Sequence, residues 1–361
     1  MLKNAVQRGT VVILCMLYFS SFAYGQSEPS VLFLPLIFRD GQQISLPDPT
    51  AFQLAFVNDA GAWLVNADGS GKTQLTTTIF PAGLIANAPA GDKIAIELSN
   101  GWSIFDGQGT VLAQALGAGH SLRWHPDNQT LLLAQLNRGI SRYILTTSQT
   151  DPLITTTDAT NDHSPFWNAS GEKLIFAHQE FGTKLYVTLV DPYDGGQLPY
   201  IGENHAGNKL NPKFTLLLAT ESWHDQPIFF HWANNEQKII FGARNTIHVL
   251  DLATATSLKI EPAGYGVNEN ARMVDVTNDQ IVYVRADGLY RVDTTGQNGR
   301  LLVVGKNFQH PQRTPAGDGV VFGNVDGLSL VDLNGQAPTL IPNTAGAQHF
   351  VVFKRSAANQ K

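Results

Sequence analysis

The chain has 361 residues, with 24 Lys plus Arg against 30 Asp plus Glu and a formal net charge of −6. Charged residues make up 15% of it, and Val, Ile, Leu, Thr, Gly, Asn and Asp are plentiful, which suits short strands joined by tight turns and leaves no long stretch with the period of a helical domain. No block of Lys or Arg is present, so nucleic acid and anionic membrane, which reward clustered positive charge, are poor partners.

Residues 1–25 read as a secretory signal peptide: Lys3 and Arg8 precede an apolar run from Val11 to Phe19, and the small residues Ala23 and Gly25 follow. The run is far shorter than the ~20 residues of a transmembrane helix. We therefore expect cleavage after Gly25, no membrane insertion afterwards, and a secreted or cell-envelope location. The one cysteine, Cys15, follows Leu14 where a lipoprotein signal wants a small residue, so no lipid anchor is expected. Removing Lys3 and Arg8 leaves 22 basic against 30 acidic residues, a charge of −8, and no cysteine for a disulfide. Residues 26–51 contain VLFLPLIF, too short to span a bilayer and interrupted by Pro35; they read as a linker, a tether or an extra edge strand.

From residue 52 onward the sequence repeats. A turn followed by an apolar strand recurs as AGDK before IAIEL, PDNQT before LLLAQL, SGEK before LIFAH, NEQK before IIFGA, NDQ before IVYVRA and GDG before VVFGN, with a first copy, LAFVND, that lacks the turn. Behind each copy lies a strand ending in a polar turn, at Asn66, Asp106, Thr147, Asp191, Asp251, Asp293 and Asp332, separated by 40, 41, 44, 60, 42 and 39 residues. A period near 40 with four short strands per unit is the signature of a β-propeller, because each small sheet exposes two apolar faces that only neighbouring blades can cover. The expected fold is therefore all-β, a propeller of about seven four-stranded blades over residues 52–355 followed by a tail at 356–361; six or eight blades are the alternatives. The turn Asp and Asn residues are expected to be structural, bonding nearby backbone.

A third element precedes each turn as the innermost strand: FPAGLIANAPA, HSLRWHP, HSPFWNA, PIFFHWAN, ARMVDVT and HPQRTPA. The first unit has no such strand, whereas HFVVFKRS, from His349, stands unpaired at the chain's end. Supplying it to the first blade would close the ring and hide both sheet edges. The spacing of 60 locates an insertion within 195–227. Trp124, Trp167 and Trp232, just before the turn in three units, are expected to pack between blades.

SPFWNASGEKLIFAH (164–178), followed by LYVTLVD, resembles the repeat of TolB-type propellers, roughly Pro-x-Trp-Ser-Pro-Asp-Gly-Lys and then an apolar strand. The resemblance covers about residues 52–355 and implies fold rather than function. TolB itself carries an α/β domain before six blades; here only residues 26–51 precede seven repeats, so the likeness is to the family's propeller and not to TolB.

No Gly-x-Ser-x-Gly elbow, phosphate loop, His-Glu-x-x-His or CxxC pair is present. One constellation remains. His120, His163, His310 and His349 each stand near the start of an expected inner strand, and the repeat places them around the channel mouth. Arg123 and Arg313 each follow one of these histidines by three residues and are candidates for an anion. No cofactor is expected, although imidazoles converging on an axis could hold a divalent metal. The first functional expectation is a monomeric, secreted, non-enzymatic scaffold that binds a protein, peptide or glycan through its loop face and channel mouth. The alternative is a metal-assisted polysaccharide lyase or hydrolase using the channel histidines.

Overall fold

The computed structural model describes residues 51–354 except 79–83, 100, 117–120, 136–138, 155–159, 181–183, 191–213, 221–229, 234–235, 244–245, 255, 261–273, 278, 286 and 336, together with 38–39, 42–43 and 48. The chain divides into two compact units, Met1–Asp48 and Pro49–Lys361. In the first, β1 (Phe38–Arg39) pairs antiparallel with β2 (Gln42–Gln43). Among the described residues no helix is long and apolar enough to cross a membrane.

The second unit is a β-propeller of four-stranded antiparallel blades, and its strands form seven such sheets. Blade 1 contains β3 (Phe52–Asn58), β4 (Gly61–Asn66) and β5 (Thr73–Thr76). Blade 2 is β6 (Ile85–Asn87), β7 (Lys93–Leu98), β8 (Gly101–Asp106) and β9 (Val111–Leu116). Blade 3 is β10 (Ser121–Trp124), β11 (Thr130–Gln135), β12 (Gly139–Ile144) and β13 (Gln149–Ile154). Blade 4 is β14 (Thr160–Trp167), β15 (Leu174–Glu180), β16 (Lys184–Val190) and β17 (Phe214–Thr220). Blade 5 is β18 (Phe230–Ala233), β19 (Lys238–Ala243), β20 (Thr246–Asp251) and β21 (Thr256–Ile260). Blade 6 is β22 (Val274–Thr277), β23 (Gln280–Arg285), β24 (Gly288–Asp293) and β25 (Arg300–Val304). Blade 7 is β26 (Gln309–Arg313), β27 (Gly319–Asn324), β28 (Gly327–Asp332) and β29 (Thr339–Leu340). The last strand, β30 (His349–Lys354), returns to pair with β3 as the inner strand of blade 1. Closure by HFVVFK is thus as the sequence implies. The segment Phe214–Thr220, read above as part of the insertion, is instead the outer strand of blade 4, so the additional length lies around it.

The inner strands β6, β10, β14, β18, β22, β26 and β30 each contact the next, and β30 contacts β6, which closes the ring around one axis. Blades stack because alternate residues leave a strand on opposite faces. In β3, Phe52, Leu54 and Phe56 pack with Val321 and Leu328 of blade 7, whereas Ala55 and Val57 pack with Ile94 and Ile96 of blade 2. Both faces are therefore core, and β3 (FQLAFVN) is apolar on both faces except for Gln53 and the terminal Asn58. Trp124 and Trp167 fill the seams to the preceding blade, beside Trp102 and Leu132 respectively.

The polar turns behave as backbone-bonding devices. Asp106 Oδ1 accepts the amides of Gln108 (2.9 Å) and Thr110 (2.7 Å), and Asp293 Oδ1 accepts those of Thr295 (3.0 Å) and Gln297 (2.8 Å). Turns between the first two strands need a left-handed residue, supplied by Gly91 (φ 71°), Asn128 (61°), Gly171 (76°) and Glu236 (68°).

Candidate functional site at the channel

The two ends of the channel differ. At the end formed by the turns after the inner strands, side chains bridge neighbouring blades. Asn128 Nδ2 donates to Asp92 Oδ1 at 2.8 Å, and Asn128 Oδ1 accepts the Ala90 amide at 3.2 Å, joining blades 2 and 3. His125 Nε2 donates to Gly171 O at 3.0 Å, and its Nδ1 lies 3.1 Å from the Asp127 amide, which joins blades 3 and 4. Glu236 accepts from Asn168 Nδ2 (2.7 Å) and the Ser170 amide (3.2 Å), joining blades 4 and 5. These polar groups serve the ring itself.

The other end is where the inner strands start and where sequence places the four histidines. His120 lies outside the described residues. His163 is within β14, with its backbone opposite Ala177, and its side chain is outside what is described. His349 opens β30 opposite Val57, and these two positions correspond by pairing. In blade 3 that place belongs to Ser121, opposite Ala134, and in blade 7 to Gln309, opposite Gly323. A bulge in β26 between Gln309 and Gln312 puts His310 one step further on, with a left-handed backbone (φ 46°). That displacement brings two histidines together: the rings of His310 and His349, from adjacent blades, have centroids 4.9 Å apart at 46°. Both are half-buried. Beside them the Gln348 side chain donates to Asp59 Oδ1 at 2.6 Å, and its amide donates to Val57 O at 2.8 Å. Among the described residues no group of three or more His, Cys, Asp or Glu is placed to hold a metal ion.

Arg313, grouped with the mouth on sequence grounds, is buried in the seam between blades 6 and 7. Its guanidinium donates to Gln280 Oε1 (3.1 Å) and Gly317 O (3.4 Å), and its amide donates to the Asp275 carboxylate. Burial pulls its pKa down, and the Asp275 charge opposes that. The pairing explains its place: Arg313, opposite Val320, corresponds to Trp124, opposite Leu131, and so faces the preceding blade.

Arg123 stands one position earlier, two residues and so ~7 Å along the strand from the mouth position of Ser121. It points toward the next blade, its guanidinium carbon 5.8 Å from the centre of the Phe166 ring, which in turn lies 5.0 Å from the His231 ring. Arg123, Phe166 and His231 share one register on β10, β14 and β18. Sequence reading singled out the tryptophans that follow them and missed this row; its signal is the residue before each Trp. The corresponding residues of blades 6 and 7, Asp275 and Gln312, instead bond the backbone of the next inner strand: Gln312 Nε2 donates to Phe350 O (2.7 Å) and Oε1 accepts the Val352 amide (2.9 Å).

No protein-family model matches the sequence, and no curated protein sequence matches it. Solved structures match the fold. The periplasmic gluconolactonase PpgL of Pseudomonas aeruginosa superposes with a TM-score of 0.57 at 14% identity, covering 84% of this chain and 99% of that one. A putative TolB from Agrobacterium tumefaciens gives 0.46 at 16% identity over 69% of this chain and 94% of that one. These likenesses concern the propeller fold.

Proposed function

We propose that this protein is an extracytoplasmic, non-enzymatic propeller scaffold that binds a protein, peptide or glycan through the loop face and channel mouth where the inner strands start. The observation that carries the reading is the meeting of His310 and His349 there, two half-buried imidazoles presented by adjacent blades. Imidazole rings stack on flat or C–H-rich surfaces, which suits amide and sugar ligands alike. The N-terminal signal pattern and the periplasmic origin named for the Pseudomonas neighbour support the location.

The test is a glycan and peptide array probed with the mature protein and with a His310→Ala/His349→Ala variant, alongside an assay of gluconolactone and polysaccharide turnover. We expect array ligands that the double variant loses at unchanged melting temperature, and no turnover by either protein. Turnover abolished in the double variant would make the protein an enzyme and overturn the reading.

A further inference from the structure

We propose that Arg123 forms a binding site for a small organic monocarboxylate inside the channel, on the arc of blades 3 to 5. The site rests on the reading of the channel as the binding region and gives its ligand a chemistry. Arg123 is half-buried on an inner strand, whose free edge faces the axis rather than another strand. A guanidinium offers five donors in a planar fork. Here one of them, Nη1, makes a single long bond to Leu122 O at 3.3 Å, and the remaining contact is the Phe166 ring. No carboxylate pairs with it among the described residues. Burial lowers its pKa with no acidic group offsetting the effect, unlike Arg313, which has Asp275.

A desolvated cation without a counter-ion is costly, and an anion entering from the channel would relieve that cost. The charge at this level fixes the class. The corresponding positions around the ring are Val351, Ala86, Phe166, His231, Asp275 and Gln312, so Arg123 is the one permanently cationic side chain among the seven. One fork matches one carboxylate in two parallel bonds, whereas a phosphate dianion calls for further cations. Phe166 and His231 beyond it provide flat surfaces for the ligand's body.

The test is calorimetric titration of the intact mature protein with acetate and glucuronate, with glucose as the neutral analogue and inorganic phosphate as the dianion. We expect both carboxylates to bind with one-to-one stoichiometry, glucose not to bind, and phosphate to bind more weakly than acetate. Arg123→Met should abolish carboxylate binding, and Arg123→Lys, which keeps the charge but loses the fork, should weaken it by about tenfold, equivalent to about 1.4 kcal/mol. His310→Ala/His349→Ala should keep acetate binding, since those rings lie at the mouth. Absence of acetate binding up to molar concentration, a preference for phosphate, or full binding by a folded Arg123→Met protein would overturn the proposal. If array ligands depend on His310 and His349 while Arg123→Met changes nothing, the carboxylate site fails and the mouth reading stands. If acetate binding depends on Arg123 and no array ligand depends on the histidines, the reverse holds.

Discussion

The inner ring contains two arcs that use the same register position in opposite ways. On the arc of blades 6, 7 and 1, Asp275 and Gln312 reach the backbone of the next inner strand, at Arg313 and at Phe350 and Val352. On the arc of blades 3, 4 and 5, the Arg123 guanidinium lies over the Phe166 ring, and the Phe166 ring in turn lies against that of His231. The first arc contains the closure, where β30 joins strands from the other end of the chain. Non-local pairing there must offset a large loop-closure entropy, and polar side chains are committed to holding it. Only the join of blades 7 and 1 is non-local; the second arc is built from blades consecutive in sequence, and its row makes ring contacts with the next blade instead. Polar groups at equivalent sites in a repeat therefore do not share a role.

The largest expected effect comes from removing the closure. Ending the chain at Ala345 deletes β30, whose Phe350, Val351, Val352 and Phe353 are all buried. At about 1.5–3 kcal/mol for each large apolar side chain, the loss is about 6–12 kcal/mol, comparable with the about 5–15 kcal/mol that holds a whole domain together. The truncated protein should show no cooperative thermal transition by circular dichroism. A melting curve like that of the intact chain would mean that β30 does not hold the ring.

Next in size is Gln312→Ala, which orphans both Phe350 O and Val352 N–H in the seam between blades 7 and 1. Leaving a buried polar group unsatisfied costs about 1–3 kcal/mol, so urea denaturation should show a loss of about 2–6 kcal/mol for the two groups, toward the lower figure because both bonds are part-buried. A change below about 0.5 kcal/mol, typical of an ordinary surface substitution, would erase the distinction between the arcs.

The ring was legible in the sequence because two markers recur together and one strand was left over at the end. Asp106, Asp251 and Asp293 could be read as structural because a short acidic side chain before a turn bonds its own backbone whatever surrounds it. The histidines were harder. His310 and His163 sit in strands with bulges, and a bulge moves a residue to a new register without altering the residue types around it. Counting from the turn thus put His310 in a place that Gln309 holds. Arg313 misled for a related reason: an arginine three residues after a histidine looks like a partner in one site, but the bulge between them turns it into the preceding seam. Phe214–Thr220 escaped recognition as a blade strand because the long segment before it broke the period.

A smaller effect concerns the closed turn end and depends on pH. Burial raises the pKa of Asp92, but hydrogen bonds from Lys93 and Asn128 outweigh it and the net shift is downward. A carboxyl whose folded value is depressed stabilises the fold above its unfolded value, and the contribution is lost as pH falls through the folded value. Asp92→Asn should therefore lower stability modestly at neutral pH, by less than about 1 kcal/mol because the side chain is 45% exposed and screened. The difference from wild type should shrink as pH falls to ~3. Melting temperatures across that range check it, and a gap that widens in acid would refute the assignment.

The smallest expected change is the most diagnostic for the comparison of arcs. Arg123→Met occupies the register position of Gln312 but removes a half-buried cation whose single polar contact is a 3.3 Å bond to Leu122 O. Methionine fills similar space against Phe166 and needs no partner. Replacing a desolvated charge by an apolar side chain of similar length is neutral or stabilising where no partner is left stranded. Urea denaturation should thus give a change within about 0.5 kcal/mol of wild type, or a gain, against the clear loss for Gln312→Ala. A loss by Arg123→Met as large as that of Gln312→Ala would show that Arg123 holds the ring as Gln312 does, and the two arcs would then be one structure with one purpose.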